Sequence, residues 1–272
     1  MTDSHEIRLA NDDAPQQDNR WLQRLSYTAV IALAIAFIIV GAIGFGLSIR
    51  EAQRAAMRVN SQSPLNQIVL ALHNYHDHYG QFPPAYVADE NGRPMHSWRA
   101  LILPFIEYGN LYDQYDFSEP WNGPNNSKLA DRMPRTYWSQ SEPPSTMYTN
   151  VVLITGPGTV FPGAQSTRLD DITDGTQNTI LVTETAGSTI PWLAPRDIEL
   201  VNGIVPLGNS EKLGRPAISA VAWRRPWVAF ADSIHCYEID DKIPPASLSA
   251  LTTIKGGEAI TRDKLIQQDL IR

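Results

Sequence analysis

The amino-acid sequence predicts an α+β protein with one N-terminal transmembrane helix and a single domain behind it. An uncharged apolar run fills Ala29 to Ile49. Amphipathic helical spacing follows as far as Tyr79, and apolar runs with strand character begin only at Asn150. Helices first and strands afterwards indicate segregated layers rather than alternating β-α units.

The run reads AVIALAIAFIIVGAIGFGLSI. About 20 apolar residues at ~1.5 Å rise cross the ~30 Å hydrocarbon core of a bilayer. In lipid every backbone N–H and C=O must be paired within the segment, so the run is predicted to be a helix. A secretory signal has a shorter apolar core, ~7–15 residues, at the extreme N-terminus and closes on a small-x-small site. Here residues 1–28 come first, acidic on balance through Asp3, Glu6, Asp12, Asp13 and Asp18. They are expected to be a disordered cytoplasmic tail, since they lack apolar periodicity. Arg20 and Arg24 flank the run on one side, and Arg50, Arg54 and Arg58 on the other. This near balance leaves the orientation undecided by charge.

Arg50 to Val59 is rich in helix formers, so the helix is expected to continue beyond the membrane. Its arginines recur every four residues and share a face, suited to headgroups or anionic lipid. Ser63 suits an N-cap and Pro64 a first helical position. Leu65, Ile68, Val69, Leu72, Tyr75, His76 and Tyr79 then form an amphipathic stripe, and Gly80 supplies the stop. Further helices are predicted at Ser97–Phe105, near Asn126–Met133 and within Lys255–Arg272. Strands are predicted at Asn150–Thr155, Thr179–Glu184, Ala217–Ala222, Trp227–Ala231 and His235–Ile239. Residues 50–272 are taken as one domain, since about 220 residues suffice for one core.

Composition excludes several functions. The net charge of −7 offers no basic field for nucleic acid. The single cysteine, Cys236, can form neither an internal disulfide nor a thiolate metal cage. No Gly-x-Ser-x-Gly occurs, and His235 beside Cys236 would point to the opposite face of a strand. No catalytic residue is assigned.

Several blocks together resemble a known family. They include residues 68–77 (Ile-Val-Leu-Ala-Leu-His-Asn-Tyr-His-Asp), Gly80-Gln81-Phe82-Pro83-Pro84, Ser97-Trp98-Arg99 and Leu103-Pro104-Phe105. Residues 119–126 (Glu-Pro-Trp-Asn-Gly-Pro-Asn-Asn), Thr155-Gly156-Pro157-Gly158-Thr159 and residues 172–181 follow in order. Ile190-Pro191-Trp192 and Pro195-Arg196-Asp197 complete the set. In these the chain resembles the bacterial pilin-like proteins classed as domain of unknown function 1559. The resemblance implies a pilin-like α+β domain, a helix packed on an antiparallel β-sheet, outside the cytoplasm. It also implies a pseudopilin-like structural or interaction role in the cell envelope. Members begin with a basic pair and Gly-Phe-Thr-Leu-Val-Glu, the prepilin peptidase site. Here Arg24-Leu25-Ser26-Tyr27-Thr28 precedes Ala29, and the apolar run has no acid, so prepilin processing is not expected.

Candidate chemistry is sparse. His73, His76, Asp77 and His78 are the densest set of metal-ligand types, but lack His-Glu-x-x-His and sit on the packing helix. Asp170, Asp171 and Asp174, with Gly175, form an acidic turn that could hold calcium, as some pseudopilins do. The competing reading is a tight turn leading into a strand. Trp98, Trp121, Trp138, Trp192, Trp223 and Trp227 could stack on sugars or pack in the core. The expected protein is therefore a single-pass inner-membrane protein, not an enzyme and without a cofactor. Its partners are lipid and other envelope or pilin-like proteins, with no nucleic acid. The alternative is a membrane-tethered hydrolase or carbohydrate-binding protein with a Trp-rich face.

Overall fold

A computed structural model describes Leu33 and residues 35–45, 64–139, 145–220, 225–232 and 235–272. The chain divides into two compact units, Met1–Arg54 and Ala55–Arg272. In the first, residues 35–45 are helical and every one is exposed, Phe37 at 82% and Phe45 at 70% among them. Eleven helical residues reach only about 17 Å at ~1.5 Å each. Among the described residues no helix is long and apolar enough to cross a membrane. The remainder of the predicted 29–49 span, the tail 1–28 and Arg50, Arg54 and Arg58 lie outside the described residues.

In the second unit, helix α1 covers residues 64–79 and ends at Gly80, whose φ of +74° is open to glycine at little cost. A hairpin follows, β1 (Tyr86–Ala88) with β2 (Pro94–Ser97), turning at Asn91-Gly92. Ser97 caps α2 (Trp98–Leu101) by accepting from Arg99 N. Pro104 opens the 3₁₀ turn Leu103–Ile106, and α3 (Gly109–Tyr112) comes next. The predicted helix near Asn126 is a single 3₁₀ turn, Asn126–Leu129. Then follow β3 (Tyr148–Thr149), β4 (Val151–Val152), β5 (Ile154–Thr155) and β6 (Ile180–Glu184). After β7 (Ile190–Pro191), β8 (Ile198–Glu199) and α4 (Ser210–Leu213) come β9 (Trp227–Phe230) and β10 (Cys236–Glu238). Helices α5 (Pro245–Ala250) and α6 (Arg262–Gln267) close the order.

The principal sheet is antiparallel in the order β10-β9-β6-β4. Side chains alternate across it, so each strand feeds two cores. Val151, Leu153, Leu181 and Ala229 share one core with Leu65, Ile68, Val69 and Leu72 of α1. Val152, Ile154, Ile180, Val228 and Phe230 share the other with Leu248 and Leu265. The register of β6 slips between Ile180 and Val182, which brings Leu181 and Val182 into the same core. With both faces covered, β6 is buried throughout. The predicted layer of helix against antiparallel sheet thus gains a second covered face.

One expectation is corrected. Residues 217–220 make no ladder strand, and 221–222 lie outside the described residues. Ala217 N donates to Ser210 Oγ and Ser219 N to Glu184 O, leaving one isolated bridge, Leu207 with Ile218. Apart from the antiparallel principal sheet, β5 and β8 form a separate parallel pair.

Candidate binding cleft

The segment after β6 builds a cleft over a buried ion pair. Arg99 on α2 and Asp197 meet at 2.6 Å, with side chains 0% and 2% exposed. Asp197 also accepts from Leu153 N at 2.9 Å and from Trp98 Nε1 at 3.2 Å. Arg99 donates to Val151 O, at 3.0 Å, and to Ser97 Oγ, at 3.1 Å. Tyr137 Oη donates to Arg99 O at 2.6 Å, and the Tyr137 ring stacks on Trp192. Burial pushes the Asp197 carboxyl up, opposed by Arg99 and the Leu153 N–H. Such a pair needs its remaining hydrogen bonds filled to be tolerated in the interior, and most of them are.

Above Asp197 opens a cavity of about 630 Å³. Ser188, Thr189 and Ile190 line one side, the last on β7, and Glu199 on β8 and Val201 line another. Ser210 and Glu211 of α4, with Arg215 and Pro216 just after it, complete the wall, and Arg196 borders it. Asn209 caps α4 by accepting from Lys212 N at 2.8 Å, and Gly214, φ +64°, ends it. Arg196 donates to Thr189 O at 3.3 Å. Arg196, Glu199, Glu211 and Arg215 are exposed, and none forms an ion pair with a described residue. Among the described residues no aromatic ring lines the cavity. Those residues offer, beside the ion-paired Asp197, two guanidinium groups, two carboxylates, hydroxyls and a short apolar strip, with no nucleophile–base pair among them.

Residues 48–156 match the family described as a protein of unknown function (DUF1559), SBP_bac_10. Over those residues the chain is similar to the DUF1559 family, as the sequence blocks suggested. No curated protein and no solved structure matches the chain. The ion pair joins the DUF1559 region, through Arg99, to Asp197 beyond it.

The other candidate residues sit in turn and packing contacts. Asp174 accepts from Gly256 N at 2.6 Å and Gly257 N at 2.9 Å, and Gly175, at φ +94°, turns the chain towards β6. Asp171 accepts from Arg168 N at 2.8 Å and lies 3.7 Å from Lys255 Nζ, and Asp170 shares their 3₁₀ turn. These hydrogen bonds and Gly175 give the segment the geometry of a tight turn. His76 Nε2 accepts from Leu169 N at 3.1 Å, His73 and His76 pack on Phe82, and His78 packs on Tyr79 and Phe105. Asp77 is exposed, 3.8 Å from His76. Among the described residues no group of three or more His, Cys, Asp or Glu is placed to hold a metal ion.

Trp98, Trp192, Trp227 and Trp138 are buried and Trp121 is partly buried against the core. Trp223 lies outside the described residues. The described tryptophans make no sugar-stacking face. Cys236 Sγ donates to Asn66 Oδ1 at 2.7 Å, linking β10 to α1. Burial, then the nearby Glu184, pushes its thiol up to about 12. Sequence reasoning missed the cleft. Arg196 and Asp197 stood in a family block without an assigned role, and no spacing pointed to Glu199, Glu211 or Arg215.

Proposed function

We propose that this protein is a membrane-tethered, pilin-like interaction module of the cell envelope, not processed as a prepilin. Residues 29–49 hold it to the inner membrane, and the folded domain works outside the cytoplasm on other envelope proteins. The observation that carries this reading is the helix of residues 35–45, in which every side chain is exposed and none is charged. Leaving that surface in water costs about 25 cal/mol per Å² of apolar area, so it calls for lipid or another protein. Among the described residues of the domain nothing favours the enzymatic alternative over this reading. The described tryptophans pack in the core, the histidines and turn aspartates hold loops, and the thiol is protonated and bonded to Asn66.

Protease added to intact spheroplasts tests the topology. The expected result is loss of residues 60–272 with the N-terminal tail spared. Digestion of the domain only after lysis would overturn the orientation. Intact mass of the membrane-extracted chain is expected to retain Trp21, and a chain beginning near residue 28 would contradict the absence of prepilin processing.

A further inference from the structure

We infer that the cleft over Asp197 receives an extended peptide segment bearing side chains of both charges, supplied by a partner protein. The inference rests on the interaction reading above and names its contact site. At about 630 Å³ the cavity falls within the ~300–1,000 Å³ of ligand sites, and it is neither enclosed nor flat.

One wall is a strand edge. Strand β8 pairs only with β5, so it has one edge with no strand partner among the described residues, whereas on β7 Pro191 has no N–H and Ile190 N already donates to Ser188 Oγ. Ile190 of β7 and Glu199 of β8 both line the cleft. An unpaired edge presents N–H and C=O groups in the spacing that an extended chain matches. Beside β8, Asn202 and Gly203, at φ +52° and +76°, turn the chain so that Val201 and Ile204 pair. Val201, which lines the cleft, is 36% exposed and its bridge partner Ile204 is 48% exposed, giving this side an apolar lip. Alternate residues of an extended peptide point to opposite sides, so one set meets this lip and the other the charges.

The charge pattern selects the peptide. Arg196 and Arg215 supply two guanidinium groups, and Glu199 and Glu211 two carboxylates, none of the four neutralised by a described residue. A simple anion would be drawn by the first pair and repelled by the second. A sugar would want an aromatic platform, and among the described residues no ring lines the cleft. A peptide with both charge signs complements all four groups.

The test uses the full chain in detergent micelles and synthetic peptides read by calorimetry. The probes are a repeating Glu-Val-Lys-Val peptide, a repeating Gln-Val-Gln-Val peptide and a neutral glucan oligosaccharide. Saturable binding of the charged peptide is expected, with the other two at least about tenfold weaker, a difference of about 1.4 kcal/mol. Arg215→Glu and Glu199→Lys, both on exposed residues, are each expected to weaken the charged peptide about tenfold without moving the thermal melt. No saturable binding, equal binding of either neutral probe, or unchanged affinity in both variants would overturn the inference. Membrane retention of the same preparations is measured in parallel. Lost peptide binding with full retention rejects the cleft alone, whereas lost retention rejects the tether.

Discussion

Removing the Asp197 carboxylate would leave the Arg99 guanidinium buried without a counter-charge, because its other acceptors, Val151 O and Ser97 Oγ, are neutral. Asp197→Ala is therefore expected to cost about 3–5 kcal/mol in urea unfolding, the range for breaking a buried pair from one side. Cys236 gives a second residue-scale outcome. Thiolate is the reactive form, and a thiol pushed up to about 12 holds almost none at neutral pH. Iodoacetamide is expected to label the native protein far more slowly than the urea-unfolded one. His96 supplies a pH dependence. Burial lowers its pKa below the ordinary 6.5, and its Nδ1 lies 3.0 Å from Tyr115 Oη. The unfolded state then takes up the proton first. Stability is full above about pH 6.5 and is lost as pH falls through the folded value. The melting temperature is expected to drop between neutral pH and about pH 5, and His96→Gln to reduce that drop. Arg99 and Asp197 were both visible as members of sequence blocks. Their contact was not, because it joins positions 98 residues apart and no local periodicity encodes it.

At the scale of elements, α1 is a packing spine. Leu65, Ile68, Val69 and Leu72 are wholly buried, as their spacing along the helix foretold. Leu72→Ala is expected to cost ~2–5 kcal/mol once the cavity is included. His73, partly exposed and edge-on to Phe82, is expected to cost much less on change to Ala, and chelator to leave the melt of both proteins unchanged. A strong chelator effect, or a larger loss from His73→Ala than from Leu72→Ala, would make the helix a ligand platform instead. Four principal strands were legible because runs such as Ile180–Glu184 are apolar, β-branched and bounded by turn residues. Residues 217–220 read as a strand for the same reason, yet Ser210 and Glu184 satisfy their backbone from outside any ladder. Helix α5 was hidden by Pro244-Pro245, a pair that sequence reading treats as a breaker but that serves here as N-cap and first helical residue. The cleft was illegible because its charged residues come from two separate short segments, 196–199 and 211–215, each unremarkable alone.

At the scale of the whole molecule, an uncharged apolar segment precedes a domain whose described histidines, turn aspartates and cysteine make packing and hydrogen-bond contacts. A net charge of −7 offers no basic field for nucleic acid. The central claim is the tether, and it is tested most directly by carbonate washing of membranes from cells expressing the full chain or a chain lacking residues 29–49. The account predicts that the full chain stays in the washed membrane pellet and that the deleted chain moves to the supernatant with its thermal melt intact. A full chain released by carbonate, or a deleted chain that remains in the pellet, would contradict it.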